Sequence, residues 1–89
     1  MEADLKNKIE LTVLFFSVLR EKTGCSSMDV TLDPGSSGGD LLDLLSDQNE
    51  AVKMYRSVIR LAVNAEYARE NIALKHGDEV ALITPVSGG

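Results

Sequence analysis

The sequence is poor in the side chains that most often carry catalysis, cross-links or metals. Among its 89 residues it has one cysteine, one histidine and no tryptophan. A single cysteine excludes an intrachain disulfide and a thiolate metal cluster, and no paired His or Cys spacing predicts a metal site. A Ser-His-Asp triad would have to use His76, which stands beside the turn-forming Gly77 and Asp78, so we interpret it as a solvated surface residue. We interpret Cys25 as unreactive for want of an activating neighbour.

Long apolar runs and an excess of positive charge are also missing. The formal net charge is −5, which argues against nucleic acid as a partner, because phosphate contacts dominate such binding, and suits a basic protein surface. The apolar stretches are too short to cross a membrane, and residues 1–8 lack the apolar core of a signal peptide. We therefore expect a cytoplasmic protein without a membrane partner. With 44% apolar and 26% charged residues, the chain can form one small domain with a modest core.

Hydrophobic periodicity predicts a pair of strands at the start. From Ile9 onwards apolar and polar residues alternate, which is typical of a half-buried strand, and residues 14–16 extend it as a segment covered on both faces. A short helical turn over residues 17–22 should end at Gly24. A second alternation over residues 28–33 predicts a strand antiparallel to the first.

One main helix is predicted after a glycine-rich loop. Residues 35–39 lack the Gly-Lys-Ser/Thr ending of a phosphate loop, so we interpret them as a flexible connection. Ser37 and Asp40 have the spacing of a helix start. The helix should end near Asn49, with another helical turn over residues 50–57. Its buried face is predicted from a stripe of leucines, namely Leu41, Leu42, Leu44 and Leu45.

The second half of the chain predicts three further strands. Residues 59–63 alternate, residues 64–66 can turn, and Tyr67 would lie on a short return strand. Residues 80–83 form a continuous apolar run, typical of a strand covered on both faces, and Pro85 should end it. This element order predicts an α+β fold of the β-grasp, or ubiquitin-like, kind: a mixed sheet of about five strands with one main helix packed on one face.

The chain end is the predicted working part. We expect a flexible N-terminus over residues 1–8, a β-grasp domain over 9–84, and an extended tail over 85–89 that ends in Gly88 and Gly89. A carboxylate at Gly89 is ionised at neutral pH and is a poor electrophile. ATP can convert it to an acyl-adenylate, and a sulfur donor that displaces AMP leaves a thiocarboxylate. We predict that Gly89 is the reactive group and that Gly88 and Ser87 let the tail thread a narrow channel.

Three parts of the sequence resemble the small subunit of molybdopterin synthase, the sulfur carrier of molybdenum-cofactor synthesis. They are the Phe-Phe and Leu-Arg-Glu motifs within residues 15–24, residues 62–67, and residues 77–81 with 85–89. The resemblance runs from Ile9 to Gly89. The sequence departs from the family at Ser17, Ala65 and Thr84, where an Ala, an acid and a second Pro are common.

The resemblance implies a carrier that is not an enzyme by itself. An ATP-dependent activating and sulfurating enzyme would adenylate Gly89 and place sulfur there, and the chain would bind no cofactor stably. The tail would then enter the active site of a large subunit, in a heterotetramer of two small and two large subunits. Sulfur would pass to cyclic pyranopterin monophosphate and build the dithiolene of molybdopterin.

Other functions with the same chain end stay open. The chain could carry sulfur for thiamine synthesis or tRNA thiolation, or be a ubiquitin-like modifier joined to protein lysines. It could also be a passive interaction domain. We interpret Phe15, Leu61 and Val80 as core, and the predicted partner contacts are Arg20, Tyr67 and Val86.

Overall fold

The computed structural model describes residues 7–85, which form strands, helices and short connections in one chain of elements. No helix in that range is both long and apolar enough to cross a membrane. In chain order the elements are β1 (Ile9–Phe15), α1 (Ser17–Thr23), β2 (Ser27–Leu32), α2 (Gly38–Gln48), α3 (Glu50–Tyr55), β3 (Arg60–Val63), β4 (Glu66–Ala68) and β5 (Glu79–Ile83).

The strands form one mixed sheet in the order β2-β1-β5-β3-β4. β1 runs antiparallel to β2 and parallel to β5, while β3 runs antiparallel to both β5 and β4. Two parallel strands must be joined by a crossover connection. The chain between β1 and β5, which includes the helices, forms that connection. The predicted β-grasp architecture, an α+β sheet with a main helix packed on it, is confirmed.

One face of the sheet and the helices enclose the hydrophobic core. Alternate residues of β1 are buried, and Phe15, Leu61 and Val80 are at most 2% exposed, so their interpretation as core is confirmed. In α2 the stripe differs slightly from the prediction, because Leu42 is fully buried and Leu44 only half-buried. The buried face of α2 therefore consists of Leu41, Leu42 and Leu45, with Leu44 at its margin.

The start of α2 is held more firmly than the sequence indicates. Ser37 and Asp40 form a reciprocal capping box, with N···O distances of 3.1 and 2.9 Å. The N–H of Gly38 donates to the carbonyl of Ile72 at 3.0 Å, and that of Gly39 to the carbonyl of Glu70 at 2.8 Å. The interpretation of residues 35–39 as a flexible connection is wrong from Gly38 onwards, because these two glycines are the first turn of the helix.

A cap and an ion cluster position the rest of the helical layer. The side chain of Asn49 accepts from the N–H groups of Ala51 and Val52, which begins α3. Arg56, just after α3, binds Asp43 of α2 at 3.1 Å and Glu70 at 2.8 Å. Because Glu70 belongs to the connection between β4 and β5, this cluster ties that connection to the helices.

Two predictions about strand burial are wrong. Residues 14–16 and β5 were expected to be covered on both faces, yet Phe16 is 42% exposed, and Leu14, Ala81 and Ile83 are only half-buried. Within residues 7–85 all helices lie against the other face of the sheet, so no described element covers the apolar side chains on this face. This uncovered apolar face forms part of the candidate functional site.

Candidate functional site

The predicted tail continues from the centre of the sheet. β5 is paired with β1 on one side and β3 on the other, and after Ile83 the chain leaves through Thr84 and an exposed Pro85. The predicted reactive and threading residues lie outside the described residues, so their roles stay predictions. These residues are Ser87, Gly88 and Gly89; Val86, a predicted partner contact, also lies outside the described residues.

An apolar surface surrounds this exit on the sheet face opposite the helices. The strand register places Leu14 beside Ala81, Ala81 beside Ala62, and Ala62 beside Tyr67. These side chains line one groove of about 310 Å³ together with Phe16 and Ile83. We call this surface the open-face patch, and it consists of Leu14, Phe16, Ala62, Tyr67, Ala81 and Ile83.

Two aromatic side chains give the patch most of its exposed area. Tyr67 is 74% exposed and Phe16 42% exposed. Contiguous exposed apolar surface is characteristic of interaction sites, and aromatic residues are enriched at the centres of protein interfaces. The patch can therefore bind a partner surface next to the point where the tail leaves the domain.

Strained backbone positions lie next to the two aromatics in the chain. Among residues 7–85, the non-glycine residues with positive φ are Ser17, Asn64 and Ala65, with φ values of 50°, 52° and 73°. Ser17 directly follows Phe16, and Asn64 and Ala65 form the turn that leads to Tyr67. Each such conformation costs roughly 1–2 kcal/mol, and strain of this kind concentrates at functional sites.

Side-chain hydrogen bonds offset the strain at Asn64. Its amide nitrogen donates to Oδ1 of Asp78 at 2.9 Å, and its amide oxygen accepts the N–H of Glu79 at 3.0 Å. The other carboxylate oxygen of Asp78 accepts the N–H of Lys75 at 2.8 Å. The turn before β5 and the turn before Tyr67 are thereby fixed to each other.

The opposite end of the same sheet face is acidic. Thr12 pairs with Asp29 on one side and with Glu79 on the other, and Glu10 pairs with Thr31. Three carboxylates therefore share the face with the open-face patch, at the end away from the chain exit. This arrangement favours a partner that is apolar near the exit and basic further away.

The predicted partner contacts separate in the structure. Tyr67 lies in the open-face patch, whereas Arg20 is exposed on α1 and does not line the groove. Neither role is tested by the geometry, so both stay predictions.

Sequence reasoning missed Phe16 and Ile83 as surface residues. Their signal was an apolar run at the exit end of β1 and β5, in a sheet that the helices of the described residues cover on one face.

The remaining candidate side chains lie apart from the exit. His76 is exposed, as interpreted, and its Nδ1 accepts the N–H of Glu10 at 3.1 Å. Cys25 is half-buried, with its sulfur 3.6 Å from Oγ1 of Thr23. Within residues 7–85, no group of three or more His, Cys, Asp or Glu side chains could hold a metal ion.

The Arg56 cluster carries the perturbed charges of the described chain. Hydrogen bonding to Glu70 raises the pKa of Arg56, with a further contribution from Asp43. The same hydrogen bond lowers the pKa of the Glu70 carboxyl. Because both residues join the β4–β5 connection to the helices, the cluster stabilises the fold and lies outside the open-face patch.

Comparison with known proteins shows which family the chain belongs to. The family model for the ThiS family matches residues 13–89. The molybdopterin synthase sulfur carrier subunit of Arabidopsis thaliana is 35% identical over 89 residues, which is 100% of this chain and 93% of the relative.

Solved structures agree with the sequence comparison. SAMP1 from Haloferax volcanii superposes with a TM-score of 0.80 and 31% identity, covering 90% of this chain and 99% of the other. A chain in the complex of subunits 1 and 2 of molybdopterin-converting factor from Helicobacter pylori superposes with a TM-score of 0.68 and 26% identity, covering 91% and 100%.

The sheet order, the single helical layer and the central exit strand define a ubiquitin-like β-grasp protein. Within that class, sequence comparison assigns the chain to one family. It belongs to the ThiS family, and it is similar over 91–100% of its length to sulfur carrier subunits of molybdopterin synthase.

Proposed function

We propose that this chain is the sulfur carrier subunit of a molybdopterin synthase, with the main-chain carboxylate of Gly89 as its reactive group. The family match, which extends through residue 89, carries the proposal. The similarity to named sulfur carrier subunits supports the same cargo. The chain acts as the sulfur donor and leaves the remaining chemistry to its partners.

The proposed cycle starts with activation of the carboxylate. An oxygen of the Gly89 carboxylate attacks the α-phosphorus of ATP in an activating enzyme, which releases pyrophosphate and leaves an acyl-adenylate. A sulfur donor then displaces AMP and leaves a thiocarboxylate at Gly89. In the active site of a large subunit the thiocarboxylate sulfur forms a bond to a carbon of cyclic pyranopterin monophosphate, and water then cleaves the resulting thioester, which returns Gly89 as a carboxylate and leaves the sulfur on the pterin. Each carrier delivers one sulfur atom, so a dithiolene needs two transfers. ATP is consumed by the activating enzyme, and the carrier holds AMP only as the transient adenylate.

The open-face patch is the proposed docking surface for the large subunit. It lies around the exit of β5, so a partner that covers Phe16 and Tyr67 stands where residues 86–89 begin. Covering apolar surface contributes roughly 25 cal/mol per Å². A similar chain in the H. pylori complex of subunits 1 and 2 supports a partner of this kind. We propose a heterotetramer of two small and two large subunits.

Deletion of Gly89 tests the proposal. We expect the shortened chain to keep its thermal melting curve and its affinity for the large subunit, because β5 and the patch are unchanged. It should support no conversion of the cyclic pterin. Asp47→Asn, a change of an exposed residue on α2, is the matched control and should retain full activity. A Gly89-deleted chain that still supports synthesis would refute the proposal.

A ubiquitin-like modifier is the second candidate. The observation in its favour is the likeness to SAMP1, which a related structure names in full as small archaeal modifier protein 1. Intact-mass analysis of protein made in cells separates the two. Exchange of one carboxyl oxygen for sulfur supports the carrier, and isopeptide conjugates to other proteins support the modifier. A thiocarboxylate that is used only by thiamine synthesis or tRNA thiolation would keep the carrier chemistry and change its acceptor.

A further inference from the structure

Two arginines lie at adjacent ends of the neighbouring strands β3 and β4, beside the chain exit. Arg60 begins β3, and Arg69 directly follows Ala68, the last residue of β4. Leu61 pairs with Ala68 in the antiparallel register, so the next position along the ladder brings Arg60 and Arg69 opposite each other. Both are exposed, and together with Tyr67 they line a groove of about 490 Å³. We call them the arginine pair.

Neither member of the arginine pair forms an ion pair within the described part of the chain, although Glu70 lines the same groove. Every ion pair formed within residues 7–85 uses Lys8 or Arg56 as its cation. Glu70, which follows Arg69, is held by two nitrogens of Arg56 at 2.8 and 3.0 Å. Like charges placed directly opposite on a strand ladder repel each other. The pair is therefore a local cationic site on a chain whose net charge is −5.

Docking on the open-face patch would remove water from this site. Arg60 pairs with Ile83 in register and lines a further groove with Tyr67, Thr84 and Pro85. Its guanidinium thus lies at the border of the apolar surface that the partner covers. A charge that loses water without gaining a partner is costly, so a covering protein must supply an opposite charge there.

We infer that the arginine pair binds carboxylate side chains of the protein that covers the open-face patch. The inference rests on the proposed function, in which that protein is the large subunit. The planar guanidinium accepts a carboxylate in a two-pronged arrangement, with both N–H donors engaged. A protein carboxylate fits better than free phosphate, because both arginines are exposed, without the enclosed polar cradle that would hold a small anion, and Arg60 shares a groove with Tyr67 and Ile83 of the apolar patch. The pair then helps determine which large subunit this chain accepts.

Affinity for the large subunit as a function of salt tests the inference. The full chain is titrated calorimetrically into the large subunit at low and at high salt. Arg60→Gln and Arg69→Gln should each weaken binding about 3- to 10-fold. The double variant should bind still more weakly and lose most of the salt dependence. Lys53→Gln, which removes an exposed charge from α3 outside both grooves, should bind like the wild type.

The outcomes separate this inference from the proposed function. If the wild type and the double variant bind equally well and with the same salt dependence, the arginine pair has no carboxylate partner and the inference is wrong. If the wild type does not bind the large subunit at all, the proposed function fails and the inference with it. Chemical shift changes at both arginines on adding AMP or pyrophosphate to the free chain would instead assign the pair to a phosphate, and would also overturn the inference.

Discussion

The buried start of α2 gives the sharpest test of the packing. A Cβ atom on Gly38 would lie 2.5 Å from Cδ1 of Leu61, a core side chain that is only 2% exposed. On the neighbouring Gly39 the nearest atom to a Cβ would be Oε1 of Glu70, at 3.3 Å. Gly38→Ala and Gly39→Ala therefore make the same chemical change, one residue apart, in different surroundings.

The two surroundings predict different free energies of unfolding. Carbon atoms in contact prefer a separation of about 3.5–4.0 Å, so Leu61 must retreat by about 1 Å or leave its rotamer. Overpacking of this kind lowers the free energy of unfolding by about 1–3 kcal/mol. The alanine side chain also reduces the conformational entropy of the unfolded variant, which raises the free energy of unfolding by about 0.4–1 kcal/mol. Gly38→Ala should therefore lose about 1–2 kcal/mol. Gly39→Ala should be neutral or gain less than about 1 kcal/mol, because a shift of a few tenths of an ångström in the exposed Glu70 side chain relieves the contact and can leave its hydrogen bonds to Arg56 in place.

Urea denaturation followed by circular dichroism measures both variants. In a domain of this size each kcal/mol changes the melting temperature by about 4–8 °C, so thermal unfolding provides a second measurement. Binding to the large subunit should be unaffected by either change, because both glycines lie on the far side of the sheet from the open-face patch. Equal stability of the two variants would refute the close approach of α2 to Leu61.

Three further perturbations address the turn, the ion cluster and the patch. Ala65→Gly should raise the free energy of unfolding in urea by about 1 kcal/mol, because φ at this position is 73°; a loss of stability would contradict the strained turn. Arg56 lowers the pKa of Glu70 in the folded protein. Their ion pair therefore stabilises the fold at pH values above 4.5, the ordinary carboxyl pKa, and this stabilisation is lost as the pH falls through the lower pKa of the folded state. Glu70→Gln should therefore cost under about 1 kcal/mol at neutral pH, since the pair is exposed and screened, and the difference from wild type should vanish in acid. Tyr67→Ser should weaken binding to the large subunit about tenfold and leave the melting temperature almost unchanged; normal affinity would place the interface elsewhere.

Local patterns in the sequence predicted the elements well. The alternation from Ile9, the Ser37–Asp40 spacing and the turn at residues 76–78 each correspond to an observed strand, cap or turn. These signals act over a few residues, because strand alternation and helix capping depend on near neighbours. The order of the predicted elements then indicated the β-grasp fold, and the sheet topology confirms it.

The parts that sequence reasoning missed depend on contacts between distant segments. Nothing near Gly38 in the chain indicates that Leu61 lies against it, so the residues at 38 and 39 read as a loop. Likewise, an apolar run such as 80–83 predicts burial, but whether a second layer covers it depends on where every helix packs. The arginine pair was also missed, since Arg60 and Arg69 meet only through the β3–β4 register.

The central place of β5 also has a mechanical consequence. A partner that draws residues 86–89 into a channel pulls along the axis of β5, which is hydrogen-bonded to β1 and β3 on its two sides. Such a pull shears both ladders at once, so many hydrogen bonds must break together, whereas an edge strand would peel away one bond at a time. In the proposed cycle, each partner could therefore pull on residues 86–89 while β5 stays in the sheet.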